Sequence, residues 1–138
     1  MELHPGMAAE KSILVKAEFS AAHLGSGNVE VYATPSMVLH MEETALEAVD
    51  PHLGPGKATV GAFIGVKHLA PTPLGMKVRI RAELTKVEGR TLVFCIQAWD
   101  EAEKIGEAEH TRVVIDMDRF RAKLDMKKRS SGGKGAGA

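Results

Sequence analysis

The chain has 138 residues, enough for one domain with one real core, and its 18 basic and 18 acidic side chains cancel to a formal net charge of zero. That balance leaves no long-range field to draw the chain onto nucleic acid or an anionic membrane surface, so neither is an expected partner. The single cysteine, Cys95, allows no internal disulfide; within the apolar run TLVFCIQAW it reads as a buried, inert thiol and suits a reducing cytoplasm. The start, MELHPGMAAEKSILVKAEF, lacks the basic region and unbroken apolar stretch of a secretory signal, and no apolar run is long enough to cross a bilayer.

After an N-terminal segment over residues 1–11, SILVKAEFS (residues 12–20) reads as a first strand. AAHLGSGNVEVYA follows, and its Gly-Ser-Gly-Asn cluster marks a loop. Thr34-Pro35 announces a helix, with Thr34 as N-cap and Pro35 at the first helical position, where it loses no needed hydrogen bond. The expected stop is HLGPG, with Gly54 as C-cap and Pro55 behind it. ATVGAFIGVKHLA is apolar on both faces, the pattern of a covered central strand. MKVRIRAELTKVE alternates Met76, Val78, Ile80, Ala82 and Leu84 with charged residues, a half-exposed strand. Glu88-Gly89 turns into RTLVFCIQAWD, and Asp100 to Lys104 turns into IGEAEHTRVVID. A short basic helix at about 117–128 closes a domain expected over 12–128, and residues 129–138 read as a flexible Gly/Ser/Lys tail. Strand, one long helix, then four strands in meander predicts an α+β fold. One helix leaves much of such a sheet bare, which predicts at least a dimer.

At roughly 100° per residue, Met37, Val38, Leu39, Met41, Ala45, Leu46, Ala48 and Val49 share one apolar arc of the helix. Ser36, His40, Glu43, Thr44, Glu47 and Asp50 share the other. Glu42 falls inside the apolar arc, where a carboxylate is costly unless paired, hydrogen-bonded or protonated. Two readings fit: a helix-edge glutamate that reaches solvent or a neighbouring arginine, and a carboxylate tuned or oriented for acid–base chemistry. Thr34 is either a plain cap or a group beside converging backbone N–H donors, a setting suited to an oxyanion. Thr34 and Glu42 are eight residues apart, roughly 12 Å along a helix axis, so a substrate, water or third side chain must lie between them. His68 is the candidate third group: it shares strand parity with Val60, Ala62, Ile64 and Val66, either as a satisfied core histidine or as a neutral-range base. His110 shares a strand face with Arg112, fit for a core bond or an anionic substrate. His40 falls on the polar arc, His52 at the helix end, and His4 and His23 in irregular segments. None of the six histidines has metal-site spacing, and Gly-rich phosphate loops and Gly-x-Ser-x-Gly elbows are missing, so no metal is expected.

Taken together, YATPSMVLHMEE, VGAFIGVKHLAPTPLGMKV and VEGR…IGEAEHTRVVI resemble a hotdog-fold thioesterase, and more closely the fluoroacetyl-CoA thioesterase-like family, over about residues 12–125. The resemblance implies an antiparallel sheet wrapped around one long central helix, a homodimer or higher homo-oligomer, and a pantetheine arm that enters near the subunit interface. It implies catalytic roles for Thr34, Glu42 and His68, with Gly61 beside the acyl or thioester group and Arg112 in support. The implied reaction is hydrolysis of an acyl-CoA to a carboxylate and free CoA, without metal or organic cofactor, in the cytoplasm. GSGNVEVYAT carries Tyr32 as its only aromatic, where the fluoroacetyl-CoA branch has a longer, phenylalanine-bearing lid; a short or medium acyl-CoA is therefore the expected substrate. The alternative is a non-catalytic protein that binds acyl-CoA or an acyl carrier in the same pocket.

Overall fold

The computed structural model describes residues 2–135. In chain order they form β1 (Ala8–Leu14), a one-turn helix α1 (Ala21–Leu24), the long helix α2 (Thr34–Val49), β2 (Lys57–His68), β3 (Lys77–Glu88), β4 (Thr91–Trp99), β5 (Lys104–Asp116) and α3 (Met117–Gly135). The five strands make one antiparallel sheet in the order β1-β3-β4-β5-β2. This is the expected α+β architecture, with α2 held against one face of the sheet. Met37, Met41, Ala45 and Val49 of the helix are fully buried against Val78, Ile80, Leu84, Leu92, Phe94 and Ile96. Each large apolar side chain so buried stabilises the fold by about 1.5–3 kcal/mol.

Only β3, β4 and β5 form a meander. β2 pairs with β5 rather than with β3, so it is an edge strand and not the covered central strand its composition suggests. The β2–β3 connection carries Pro71 and Pro73, which preclude a tight hairpin, and it crosses to the other side of the sheet. The apolar character of β2 is therefore left uncovered, with Phe63 54% exposed.

β1 begins at Ala8, inside the segment expected to precede the domain, and ends at Leu14. Ala17–Phe19 is a 3₁₀ turn rather than strand, and the Ser20 hydroxyl caps α1 by accepting from His23 N–H at 3.1 Å. α2 ends at Val49, earlier than HLGPG suggested, because Pro51 removes a donor and Asp50–His52 tightens into a 3₁₀ turn. At the other end α3 runs past residue 128 to Gly135, over part of the expected tail; residues 136–138 lie outside the described residues. Its first turn is anchored by Met117 N–H to Gly56 C=O at 2.8 Å and Arg119 N–H to Asp116 Oδ1 at 3.1 Å. Once nucleated, lysine, arginine, leucine and methionine over residues 117–129 propagate the helix at little cost, and nothing in the structure explains its continuation through Ser130, Ser131, Gly132, Gly133 and Gly135, which are poorer helix formers.

The buried side of α2 is rotated from the apolar arc by roughly a fifth of a turn. Ser36, His40 and Thr44 are buried, whereas Val38 and Leu46 are only half-buried and Leu39 is exposed. Two local partners account for the shift. The Tyr32 hydroxyl and His40 Nδ1 are 2.6 Å apart, and the Thr44 hydroxyl donates to His40 C=O at 2.7 Å, so polar groups expected in solvent are satisfied inside. Cys95 departs in the opposite sense. On β4, Leu92, Phe94, Ile96 and Ala98 point inward, and Cys95 points outward between Glu83 and Glu109, exposed rather than buried.

Candidate active site

The first turn of α2 meets the end of β2. The N-cap is Ala33, which has no side-chain cap to offer, so Thr34 stands one position inside the helix, not at the cap. Its hydroxyl is thereby free for a tertiary partner: Thr34 Oγ1 and His68 Nδ1 are 2.7 Å apart. No acidic residue occupies the first turn to offset the positive helix end. A glycine lies beneath the Met37 side chain where the two elements meet. His68 pairs in register with Gly106 on β5, and a Cβ built at Gly106 would lie 2.7 Å from Met37 Sδ. A side chain there would have to displace the flexible ends of Met37 and Met41.

His68 Nε2 is buried and has no hydrogen-bond partner, alone in this among the described side chains. Burial pushes the His68 imidazolium below the ordinary histidine range, so the ring is neutral at pH 7. Thr34 and His68 border a cleft of about 340 Å³ lined also by Ala21, Val31, Tyr32 and Leu69. Volume does not select the site. Larger depressions of about 640 and 570 Å³ lie beside the N-terminal segment and under α3, away from this pair and from any buried unpaired nitrogen.

The parity expected for His68 is corrected by a β-bulge. Gly61 pairs with Arg112 and Phe63 with Thr111, leaving Ala62 without a cross-strand partner. One extra residue inverts the alternation. Beyond it Ile64, Val66 and His68 pair with His110, Ala108 and Gly106, the buried side of β5. His68 thus shares a face with Thr59 and Gly61, and not with Val60 and Ala62. Gly61 and His68 are an odd number of positions apart, so only a bulged strand turns both toward the helix.

Glu42, Gly61 and Arg112 form a second group. A Cβ built at Gly61 would lie 3.4 Å from His110 Cε1, 3.6 Å from Arg112 Nη1 and 3.7 Å from Glu42 Oε2, so the glycine floors a small hollow between these side chains. Glu42 sits at the margin of the buried face, half-buried, with no hydrogen-bond or ion-pair partner among the described residues. Arg112 is buried: Nε donates to Thr59 Oγ1 at 2.8 Å and Nη2 to Thr59 C=O at 2.9 Å, while the Thr59 hydroxyl donates to Asp50 Oδ1 at 2.6 Å. Burial lowers the Arg112 pKa, opposed by Asp50 and Glu42. Thr34 and His68 therefore come together, Glu42, Gly61 and Arg112 come together, and no hydrogen bond joins the two groups.

The open alternatives for His110 resolve to a core bond. Its Nδ1 lies 2.7 Å from Phe63 C=O, which can only accept, so the proton is on Nδ1; Nε2 then accepts from Arg112 Nη1 at 3.1 Å. Burial, the first cause, and the Arg112 charge hold His110 neutral against the opposing Phe63 carbonyl and Glu42. Sequence reasoning missed Tyr32, whose buried ring meets His68 edge-on at 6.5 Å while its hydroxyl holds His40. An aromatic directly before the helix was its one visible signal. Among the described residues no group of three His, Cys, Asp or Glu side chains is placed to hold a metal, and no helix is long and apolar enough to cross a membrane.

A family model described as FlK, fluoroacetyl-CoA-specific thioesterase, matches residues 15–118. The fluoroacetyl-CoA thioesterase of Streptantibioticus cattleyicolor is 43% identical over 98 residues, 71% of this chain and 70% of that protein. A solved structure of the fluoroacetyl-CoA thioesterase FlK superposes with a TM-score of 0.84 at 34% identity, over 92% of this chain and 98% of its own. A thioesterase superfamily member from Thermus thermophilus gives 0.88 at 28% identity over 96% and 98%. A hot-dog-like protein from Thermanaerovibrio acidaminovorans gives 0.84 at 24% identity over 89% and 91%, which speaks to the fold alone. The matched span contains α2, the bulged β2 and the His110–Arg112 face of β5, and on that ground the chain belongs to the fluoroacetyl-CoA-specific thioesterase family of hotdog-fold proteins.

Proposed function

We propose that the chain is an acyl-CoA thioesterase that hydrolyses a short or medium acyl-CoA to the carboxylate and free CoA, with Thr34, His68 and Glu42 as its catalytic residues. The observation that carries this reading is His68: neutral, held through Nδ1 by the Thr34 hydroxyl, and with Nε2 buried and unpaired at the positive end of a helix. A thioester is already activated, so positioning, a base and backbone N–H donors for the oxyanion suffice. The tautomer of His68 decides the division of labour. With the proton on Nε2, Nδ1 takes the Thr34 proton as Oγ1 attacks the carbonyl, the C–S bond breaks and CoA leaves as the free thiol with that proton, and water then cleaves the acyl-threonine to the carboxylate. With the proton on Nδ1, Thr34 is held as a donor to the carbonyl and Nε2 deprotonates the attacking water. Glu42, unpaired beside Gly61 and roughly 12 Å along the helix from Thr34, is the carboxylate that orients the attacking water, and Arg112 fixes the hollow in which the acyl group lies next to Gly61.

Selectivity for fluoroacetyl-CoA is not part of this proposal. The aromatic before α2, Tyr32, is fully buried against His40 and His68 and does not cover the cleft. A homodimer through β2 is part of it: an unpaired strand edge with exposed Phe63, followed in the chain by exposed Leu69, is a surface that a second copy would cover. A cytoplasmic setting belongs to the same proposal. The test is CoA release from a panel of acyl-CoAs of increasing chain length, with Glu42→Gln beside the wild type. Hydrolysis that falls by about 10²-fold or more in Glu42→Gln supports the reading. Tight binding of the esters without turnover by the wild type overturns it in favour of a binding protein.

A further inference from the structure

The bulge in β2 is the feature on which the site depends, and its carbonyl is held by a side chain with no part in the chemistry above. We propose that His110 is a positioning residue: through its Nδ1–H bond to Phe63 C=O it locks the bulge, and so aims His68 at Thr34 while keeping the Gly61 hollow open beside Glu42.

The geometry is over-determined in favour of this role. His110 is fully buried, and its two ring nitrogens are both committed, Nδ1 to Phe63 C=O at 2.7 Å and Nε2 to Arg112 Nη1 at 3.1 Å. Phe63 directly follows Ala62, the residue without a cross-strand partner, so the bonded carbonyl lies on the irregular part of the strand. The strand is an edge, with a second side chemically unsatisfied, and an edge bulge without a fixed contact can shift register. Arg112 is itself fixed by Thr59 and, through it, by Asp50 at the end of α2. The imidazole therefore links the helix end, the hollow at Gly61 and the segment that carries His68. Its carbon edge also forms one wall of that hollow, since a Cβ at Gly61 would meet His110 Cε1 first, at 3.4 Å.

The inference rests on the thioesterase reading, and the experiment separates the two. His110→Leu removes the donor and keeps much of the volume; His110→Asn places an amide N–H near the Nδ1 position; His110→Gln places one near Nε2 instead. The readouts are kcat and KM for acyl-CoA hydrolysis, thermal unfolding, and the NMR titration of His68, which needs no turnover. For His110→Leu we expect kcat to fall by about 10²-fold, the loss that follows a displacement of roughly 1 Å at a reacting group, with KM changed by less than about threefold. The His68 midpoint should move back toward the ordinary 6.5 as the ring leaves its site. His110→Asn should recover kcat to within about tenfold of wild type, and His110→Gln should not. Should His110→Leu fail to fold, the rank order of Asn over Gln carries the same test. Equal activity in Asn and Gln, a kcat for Leu within about twofold of wild type, or a His68 titration unmoved in Leu overturns the role of His110. A wild type that turns over no ester, whatever its His68 titration, overturns the thioesterase reading instead.

Discussion

Replacing Thr34 by valine removes one oxygen atom and keeps the branched shape that fixes the side chain in the first turn of α2. The lost contact is the 2.7 Å approach to His68 Nδ1. Thr34 is exposed, so water can replace the hydroxyl on its outer side, and the net cost of the missing hydrogen bond is about 1 kcal/mol. For a chain of this size that is a fall in Tm of roughly 2–6 °C. The effect on rate is larger, because in the proposed mechanism the hydroxyl is either the nucleophile or the group that holds carbonyl and base in register. Acid–base and positional contributions of this kind are worth about 10²–10⁴ in kcat, or roughly 3–5.5 kcal/mol of barrier. Stability and catalysis are thus separated by a factor that one melt and one progress curve can resolve. Thr34→Ser restores the hydroxyl without the methyl that restrains it, and should stay within about tenfold of wild type. The assay is CoA release at saturating ester, paired with thermal unfolding followed by circular dichroism. A Thr34→Val enzyme with more than about a third of the wild-type kcat would refute the pairing of Thr34 and His68 as the reacting couple.

Gly61→Ala should fold, since its Cβ would make only ordinary contacts at 3.4, 3.6 and 3.7 Å with His110, Arg112 and Glu42; it should lower kcat/KM for longer acyl groups about tenfold more than for acetyl, and equal losses across chain lengths would show that the acyl group lies elsewhere. The rate should fall on acidification through a midpoint below 6.5, because the base must be unprotonated and burial lowers the His68 pKa; an acid limb centred above 6.5 would exclude His68. Stability should follow the same sign: burial lowers His40, His68 and His110, the unfolded chain binds more protons than the folded one, and so stability present at pH 7 is lost as pH falls from 6.5 through the folded values, visible as a lower Tm at pH 5. Phe63→Lys places a charge on the exposed edge strand and should convert a dimer to monomer in analytical ultracentrifugation, with an unshifted mass arguing that copies meet on another face.

The alternation of Val78, Ile80, Ala82 and Leu84 makes β3 legible in the sequence, since a strand with one wet face writes its geometry as a period of two. β2 wrote a misleading version of the same signal. Its apolar residues on both faces suggest a central strand, yet they belong to an edge and to a parity inversion at Ala62 that costs one residue and leaves only a glycine as a mark. The sequence marks His68 as a titratable group within an apolar strand, but the face it occupies depends on that inversion. A carboxylate in an apolar arc makes Glu42 conspicuous; its position at the margin depends on how far α2 rolls, and that goes with the hydrogen bonds of Tyr32 to His40 and of Thr44 to the His40 carbonyl. Thr34 was legible as the start of a helix. Its use of the hydroxyl on His68 instead of the helix end required knowing which strand terminus would arrive there. Residue types near the site were visible, and the pairings among them were tertiary.

The outward thiol of Cys95 bears on how turnover of this protein is counted. A reagent that traps free CoA will also react with an exposed cysteine, and each chain supplies one such equivalent at time zero, with or without ester. An acyl-threonine intermediate would release CoA in an initial burst of the same size, one per site. The two are indistinguishable by amplitude alone. Because Cys95 lies on the side of the sheet away from Thr34 and His68, Cys95→Ser clears the background without touching the site, and a burst that survives in that variant belongs to the enzyme's own chemistry.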